Sequence, residues 1–265
     1  MLDLQTRRKI CEDTITRSAS IASSTPGGSL SSYFIPSQLP PLSKSHANYP
    51  NLTLAPITVH NSDTFALART LPPGSKTAVL NLASNYEPGG GWRYTLSATQ
   101  EEALCYSSTL FATLKVEWYP WANLGMESCK GIYSSGVVVF KDTLENNCVY
   151  LPEPHVLGVI TVAAPCQPAL TPDGQGFANE TDLNDLRERI LLILRMAAEN
   201  GARSLVLGAM GCGAYGCPPE LVAREMKGMI EQQEFEGWFE RIVFAVYAAG
   251  RVGKGNLEVF KEVFR

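Results

Sequence analysis

The amino-acid sequence predicts an α/β layer fold with a mostly parallel central sheet. From residue 57 onward, short apolar runs typical of buried strands alternate with segments of helical periodicity. This alternation is typical of a sheet whose strands are joined by covering helices. The predicted strands are residues 77–83, 136–140, 156–163, 204–209 and 241–247, and the predicted helices are residues 63–71, 100–114, 183–199 and 219–232.

The first fifty residues differ from the rest of the chain. Residues 3–16 can form one helix, whereas residues 18–45 are rich in Ser, Pro and Gly and contain no charged residue before Lys44. Such a composition predicts a loop or a loosely ordered wrap. We therefore expect an N-terminal extension over residues 1–50 and a single domain over residues 51–265.

Composition excludes several classes of protein. The chain has 265 residues, of which 45% are hydrophobic and 18% charged, so it is too apolar to be disordered. No apolar run reaches the roughly 18–20 residues of a membrane span, so we expect no membrane association. With 22 basic and 26 acidic residues the net charge is −4, which argues against direct DNA or RNA binding through phosphates. We expect a monomer.

The cysteines indicate a reducing compartment. There are seven, an odd number, and the N-terminus lacks the apolar region of a secretory signal, so we expect reduced thiols in a cytosolic or nuclear protein. Cys212 and Cys217 are separated by four residues but have no second cysteine pair, and His46, His60 and His155 are scattered. We therefore expect neither a metal site nor a cofactor.

A first candidate binding loop follows the strand predicted at 77–83. It contains Asn85 and Glu87 and then three consecutive glycines, Gly89, Gly90 and Gly91. Glycines allow a ligand to approach the backbone closely, at an entropic cost when the loop is ordered. Ligands bind at the carboxyl ends of strands in sheets of this kind, which favours a binding loop, and a flexible surface loop is the alternative.

A second glycine loop follows the strand predicted at 204–209 and precedes a helix. It has a GxGxxG pattern at Gly211, Gly213 and Gly216, and backbone amides beside a helix N-terminus suit a diphosphate. Only one helix and one strand follow it, which argues against a dinucleotide-dependent hydride-transfer enzyme. A tight turn without a ligand is the alternative for this loop taken alone.

An acid pair begins the helix predicted at 100–114. Thr99 and Glu102 have the spacing of a capping box, which gives the acids a purely structural role. The functional alternative is a general acid beside the first glycine loop. Because adjacent helix positions point about 100° apart, Glu101 and Glu102 are not expected to flank one bond from opposite sides, and at most one is the acid.

The order of these motifs resembles the microbial-type poly(ADP-ribose) glycohydrolases, whose signature is GGG, six to eight residues, then QEE. Here it is Gly89-Gly90-Gly91, WRYTLSAT and Gln100-Glu101-Glu102, with LGAMGCGAYG downstream. Further matches include LCYSSTL after the acids and VITVAAP at the strand predicted at 156–163. The likeness covers nearly the whole chain. It implies a three-layer α/β/α macrodomain-like fold.

The resemblance also implies roles for individual residues. Glu102 would be the general acid that protonates the departing ribose hydroxyl, and Glu101 would orient the neighbouring ribose. The first glycine loop would approach the distal ribose, the second would cradle the diphosphate, and Tyr215 would cover the distal ribose. The other expected substrate-binding residues are Gln100, Asn85, Glu87, Cys212 and Ala214 with the loop glycines, and Phe244, Tyr247 and Phe260 on the adenine side.

The sequence departs from the family pattern at three positions. Glu87 stands before PGGG where the family usually has Asn, and Cys166 and Cys217 also stand where Asn is common. A carboxylate accepts hydrogen bonds from ribose hydroxyls but cannot donate as an amide does, and it repels phosphate. Glu87 would therefore weaken activity or shift the preferred substrate.

Three functional hypotheses follow. The leading one is a hydrolase of ribose–ribose bonds that acts on poly(ADP-ribose), free or on ADP-ribosylated proteins, and releases ADP-ribose. The alternatives are a non-catalytic module that reads ADP-ribose and a hydrolase of mono-ADP-ribosyl conjugates. Glu87 motivates both alternatives.

Overall fold

The computed structural model describes residues 2–72, 76–125, 127–248 and 255–265. Within them the strands are β1 (Ser32–Ile35), β2 (Thr58–His60), β3 (Thr77–Leu82), β4 (Gly131–Lys141), β5 (Tyr150–Val162), β6 (Ser204–Leu207) and β7 (Arg241–Ala245). The helices are α1 (Leu4–Ser24), α2 (Thr64–Thr70), α3 (Gln100–Ser107), α4 (Leu110–Thr113), α5 (Glu180–Glu199), α6 (Pro219–Ile230) and α7 (Asn256–Val263). Short 3-10 helices at Val116–Trp118 and Gln233–Phe235 lie in connections.

The described strands form one sheet in the order β1-β4-β5-β3-β6-β7-β2. The pairs from β5 to β2 are parallel, and the pairs β1–β4 and β4–β5 are antiparallel. The predicted mostly parallel sheet is confirmed. Leu82 at the end of β3 pairs with Val162 at the end of β5, so the loops after these strands emerge at one edge, called here the carboxyl edge.

Helices cover both faces of the sheet. Successive residues of a strand point to opposite faces, so Leu80 of β3 belongs to one buried cluster and Val79 to the other. The first cluster packs against α5, α6 and α7, and the second against α2, α3 and α4. The predicted three-layer α/β/α fold is confirmed.

The prediction of a loop over residues 18–45 is wrong in two places. Helix α1 continues to Ser24, because Thr14, Ser18 and Ala22 lie at helical spacing and are buried. The Ser18 hydroxyl bonds to the Thr14 carbonyl at 2.6 Å, so the polar side chain is satisfied inside the helix. Strand β1 pairs with β4 at one edge of the sheet. The region before residue 50 therefore contributes a strand to the same sheet as residues 51–265.

The helix predicted at 100–114 is two helices. Between α3 and α4, Ser108 forms an antiparallel bridge with Val139, and the Thr109 backbone N–H donates to the Val138 carbonyl at 3.0 Å. Pairing with β4 thus interrupts a pattern that is helical by periodicity alone. The other predicted strands and helices are confirmed with shifted ends, whereas β1, β2 and α7 were not predicted.

Helix α1 is fastened to β4 by a buried lysine. Lys141 is 2% exposed, and its Nζ lies 2.6 Å from the Asp13 carboxylate and 2.8 Å from the Thr14 hydroxyl. The buried cation is therefore both paired and hydrogen-bonded, as burial requires.

Among the described residues, none of the helices has the length and apolar character of a membrane span.

Candidate active site

The acid-bearing helix α3 is held against the end of β3 by Gln100. The Gln100 Oε1 accepts from the Leu82 backbone N–H at 2.9 Å, and its Nε2 donates to the Leu80 carbonyl at 2.7 Å. The same Nε2 donates to the Thr64 hydroxyl at 3.2 Å. The side-chain amide of Gln100 is thus hydrogen-bonded to other residues of the protein. These bonds hold the acid pair at the carboxyl edge.

Glu101 is enclosed at this edge and is 2% exposed. Its carboxyl accepts from the Ser84 backbone N–H at 2.8 Å and from the Asn81 side chain at 3.1 Å. Burial raises the pKa of Glu101 to about 8, and the negative charge of Glu102 adds to the rise, while the hydrogen bonds from Ser84, Asn81 and Gly89 oppose it. Glu101 therefore holds a proton at neutral pH.

Glu102 closes the loop that precedes α3. Its Oε1 accepts from the Gly91 backbone N–H at 3.2 Å and from the Ser97 hydroxyl at 2.9 Å. Its Oε2 accepts from the Thr99 backbone N–H at 2.9 Å and from the Thr99 hydroxyl. The capping box is therefore present, and the same carboxylate also organises the end of the glycine loop.

The two carboxyl groups meet at Gly90. A Cβ added to Gly90 would lie 2.7 Å from Glu102 Oε1 and 3.3 Å from Glu101 Oε2. The glycine loop folds back over the helix N-terminus, with Gly89 at φ +70° and Gly90 at φ +56°, conformations that favour glycine. The two acids point in different directions from the helix, yet the loop brings one glycine into contact range of both.

Asn85 joins the first loop to its surroundings. Its Nδ2 donates to the Trp121 carbonyl at 2.8 Å, and its Oδ1 accepts from Asn123 at 3.1 Å and from the Tyr215 hydroxyl at 3.4 Å. Tyr215 belongs to the second glycine loop. The predicted binding residues Asn85 and Tyr215 therefore connect the two loops directly.

Glu87 is half-buried and lies on the same loop. Its carboxylate interacts with the Tyr94 hydroxyl, and this interaction raises the pKa of Tyr94 to about 12. The Glu87 carbonyl accepts from the Gly90 backbone N–H at 3.4 Å. The unusual carboxylate is thus placed beside the three glycines and has a tyrosine partner.

The second loop is a compact turn before α6. Gly211 and Gly216 have φ of +73° and +71°, and a Cβ on Gly211 would lie 2.6 Å from the Cys217 sulfur. The Cys217 backbone N–H donates to the Gly211 carbonyl at 3.0 Å, which closes the turn. The loop residues exposed to solvent are Gly213, Ala214 and Gly216.

The cysteines of this loop are buried thiols. Cys212 is 8% exposed and its carbonyl accepts from the Asn256 side chain at 3.1 Å, so it serves the packing of α7. Burial raises the pKa of Cys217 to about 12. Among the described residues, no group of three or more His, Cys, Asp or Glu could hold a metal ion.

The predicted aromatic residues on the adenine side separate into two groups. Phe244 and Phe260 are fully buried, and their ring centroids are 5.5 Å apart in the core between β7 and α7. Their burial does not support contact with a base, because neither ring has an open face. Tyr247 is 43% exposed, and its hydroxyl donates to the Glu145 carboxylate.

Asn123, which connects two loops at the carboxyl edge, was not predicted from the sequence. Its Nδ2 donates to Asn85 Oδ1 at 3.1 Å and to the Ala164 carbonyl at 2.9 Å, and its Oδ1 accepts from the Cys166 backbone N–H at 2.5 Å. It therefore links the loop after β3 to the loop after β5. A single asparagine in a connection carries no sequence signal of this role.

Arg189 of α5 contacts the backbone of Asn123. It is 1% exposed, its Nη2 donates to the Asn123 carbonyl, and burial lowers its pKa to about 10. Its Nε and Nη1 have no hydrogen-bond partner among the described residues. In the sequence, α5 has the apolar periodicity of a covering helix, which gives no reason to single out this arginine.

Replacing Asn123 with Ala should loosen the site. The change leaves the Ala164 carbonyl and the Cys166 N–H without their partner, and each unsatisfied buried group costs about 1–3 kcal/mol. We expect a lower free energy of unfolding in urea and a raised KM. The exposed Asn48, replaced with Ala, is the matched control. Equal stability and equal KM in the two variants would contradict the role of Asn123.

The raised pKa of Glu101 predicts a pH-dependent stability. The folded-state pKa of Glu101, about 8, lies above its unfolded value. The contribution of this group to the free energy of unfolding is therefore fully present below pH about 4 and is lost as pH rises to about 8. Glu101→Gln lacks this titration. In urea unfolding at several pH values, the variant should gain on the wild type by up to a few kcal/mol between pH 5 and pH 8. A stability difference that is constant with pH would contradict this.

Known proteins resemble the chain over most of its length. The family model for the microbial-type PARG catalytic domain matches residues 20–142, and the Macro domain model matches residues 159–226. A curated relative, an uncharacterized protein of Thermococcus kodakarensis, is 36% identical over 74 residues. The aligned region covers 28% of this chain and 41% of that relative's length.

Solved structures give matches over nearly the full chain. Poly(ADP-ribose) glycohydrolase from Thermomonospora curvata is 27% identical, with a TM-score of 0.77 over 98% of this chain and 99% of that one. The same enzyme bound to the inhibitor ADP-HPD is 29% identical over 97% and 99%, with a TM-score of 0.77. Poly(ADP-ribose) glycohydrolase from Deinococcus radiodurans in complex with ADP-ribose is 31% identical over 82% and 87%, with a TM-score of 0.67.

Proposed function

Because the chain belongs to the microbial-type poly(ADP-ribose) glycohydrolase family, we propose that it hydrolyses the ribose–ribose O-glycosidic bonds of poly(ADP-ribose) and releases ADP-ribose. The observation that carries the proposal is the convergence of two carboxyl groups on Gly90 at the carboxyl edge. General acid catalysis needs a carboxyl group within hydrogen-bond reach of the departing oxygen. A ribose held against this glycine lies next to both acids.

The chemistry then requires two proton transfers and one water. Glu102 gives a proton to the departing ribose oxygen, the C–O bond breaks, and positive charge develops at the anomeric carbon. Water adds to that carbon, and the proton it loses restores the acid. Glu101 orients the adjoining ribose hydroxyl, and its proton at neutral pH makes it a hydrogen-bond donor as well as an acceptor.

The second glycine loop supplies the anion site for the diphosphate. Gly213 and Ala214 are exposed shortly before α6 begins at Pro219, whereas the Gly216 N–H donates to the Gly213 carbonyl at 3.1 Å. A helix N-terminus with exposed amides favours an anion without any lysine or arginine. This agrees with the net charge of −4, because the diphosphate is then held by backbone dipoles and not by a basic surface. The hydrogen bond from the Tyr215 hydroxyl to Asn85 joins the two loops and so sets the distance between the diphosphate site and the ribose site.

The raised pKa of Glu101 favours a second assignment of the acid within the same reaction. Burial raises the pKa of Glu101 to about 8, and a general acid must hold a proton at neutral pH. The separate Glu101→Gln and Glu102→Gln variants decide between the assignments. If only Glu101→Gln loses turnover, Glu101 is the general acid and Glu102 orients the ribose hydroxyl.

A non-catalytic reader of ADP-ribose is the second candidate function, and Glu87 favours it. Its carboxylate beside the three glycines repels phosphate and replaces the amide expected there. Incubation with poly(ADP-ribose), with a panel of mono-ADP-ribosyl conjugates beside it, separates the candidates. Free ADP-ribose from the polymer supports the glycohydrolase. Tight binding of ADP-ribose by calorimetry without any product supports the reader, and release from the conjugates alone supports a mono-ADP-ribosyl hydrolase.

The partners follow from the reaction. We propose that poly(ADP-ribose), free or attached to proteins, is the substrate and that ADP-ribose is the product. We also propose that the enzyme acts as a monomer in the cytosol or nucleus, without binding DNA or RNA directly. The division into an extension over residues 1–50 and a catalytic domain over residues 51–265 is part of the same proposal.

A further inference from the structure

We propose that Tyr86 and Tyr94 form a stacking subsite for the purine base of the nucleotide unit on the departing side of the scissile bond. This inference rests on the proposed function and adds a preference for polymer over mono-ADP-ribosyl conjugates. Its basis is a pair of exposed aromatic rings on the first glycine loop that the proposed reaction does not otherwise use.

Both tyrosines belong to the first glycine loop and are open to solvent. Tyr86 is 72% exposed and Tyr94 is 51% exposed. Tyr86 lies three residues before Gly89, and Tyr94 lies three residues after Gly91. Glu87, the residue next to Tyr86, interacts with the Tyr94 hydroxyl and raises its pKa, so one carboxylate is shared by the loop positions on both sides of the glycines. The two tyrosines therefore stand on one loop, one on each side of the three glycines.

The backbone beneath these rings is fixed. The Tyr86 N–H donates to the Ser84 hydroxyl at 3.0 Å, and the Trp121 N–H donates to the Asn85 carbonyl at 3.0 Å. On the other side, the Tyr94 N–H donates to the Gly91 carbonyl at 3.2 Å. Rings on an anchored backbone lose little entropy when a base stacks on them, since only two side-chain torsions must settle.

The charge at this rim favours a base over a phosphate. Glu87 places a negative charge between the tyrosines, which repels a diphosphate and attracts hydrogen-bond donors. Adenine has such a donor in its exocyclic amine, and its face stacks on aromatic side chains. The neighbouring Arg93 guanidinium lies over the Phe111 ring at 4.7 Å.

Position along the substrate identifies which base it is. The unit that becomes product occupies the span from the second glycine loop to Gly90, with its diphosphate at the former and its ribose at the latter. A base that reaches Tyr86 and Tyr94 therefore belongs to the unit on the other side of the bond. Free ADP-ribose does not extend that far.

The test compares polymer with a mono-ADP-ribosylated peptide in Tyr86→Ala, Tyr94→Ala and the double variant. Stacking on an aromatic residue is worth about 1–3 kcal/mol per base, so KM for the polymer should rise about 5- to 150-fold in the double variant. The KM for the peptide and the Kd for ADP-ribose should stay unchanged. Tyr86→Phe should retain the wild-type KM because it keeps the ring. Tyr150→Ala removes a tyrosine of 50% exposure and is the matched control.

Two results would overturn the inference. One is an unchanged polymer KM in the double variant, and the other is an equal rise in KM for the peptide. If the wild type cleaves no polymer, the proposed function fails separately. The Kd of a short polymer, measured against that of ADP-ribose in the same variants, then decides the stacking subsite by itself. An unchanged ratio of the two would contradict it.

Discussion

Glu102→Gln should lower kcat for poly(ADP-ribose) by about 10²- to 10⁴-fold, the usual contribution of a general acid. ADP-ribose should still bind with a Kd close to that of the wild type, since the glutamine keeps the size of the side chain. Initial rates on polymer and calorimetry with ADP-ribose measure the two effects.

The structure predicts a second effect of the same change. Glu102 accepts from Gly91, Ser97 and Thr99, whereas a glutamine amide directs its NH₂ toward two of these donors. We expect a loss of stability of about 1–2 kcal/mol from the disturbed cap and loop. Thr99→Ala separates cap from catalysis, because it weakens the cap and leaves the carboxyl in place. If Thr99→Ala reduces kcat as much as Glu102→Gln does, Glu102 is a structural cap and not the acid.

Gly90→Ala should abolish most activity although it adds only one methyl group. At φ +56° an alanine is strained, and its Cβ would lie 2.7 Å from Glu102 Oε1 and 3.3 Å from Glu101 Oε2. The Glu102 carboxyl must shift, and the Glu101 carboxyl must give slightly. A displacement of about 1 Å in a catalytic group costs on the order of 10² in rate. We expect kcat to fall by at least that factor in a steady-state assay.

Gly174→Ala is the matched control for Gly90→Ala. Gly174 has φ +70°, but nothing lies within 4 Å of an added Cβ. Both variants should lose about 1–2 kcal/mol of stability through backbone strain. Only Gly90→Ala should lose turnover. Similar losses of kcat in both variants would show that the contact between Gly90 and the acid pair is unimportant.

Much of the site could be predicted because its residues are contiguous in sequence. The three glycines, the acid pair and the second glycine loop each follow or precede a strand with a strong apolar pattern. Their meeting at one edge follows from parallel pairing of β3, β5 and β6. What local spacing could not give is the approach of Glu101 and Glu102 to Gly90, because the fold of the loop sets it.

The residues that were missed act through contacts distant in sequence. Asn123 contacts Asn85, 38 residues earlier, and Cys166, 43 residues later. Arg189 contacts Asn123 from a helix with an amphipathic pattern. Strands β1 and β2 are short edge strands whose apolar patterns are too brief to separate from loop. Phe244 and Phe260 were expected on the adenine side of the binding site, but the packing of α7 on β7 encloses them in the core.

The most direct test of the central claim is identification of the product formed from poly(ADP-ribose) by the wild type and by Glu102→Gln. The wild type should release free ADP-ribose with time, at a rate proportional to enzyme concentration. Glu102→Gln should leave the polymer intact while it still binds ADP-ribose. Intact polymer after incubation with the wild type, or equal release by the variant, would contradict the assignment of a glycohydrolase that uses Glu102 as its acid.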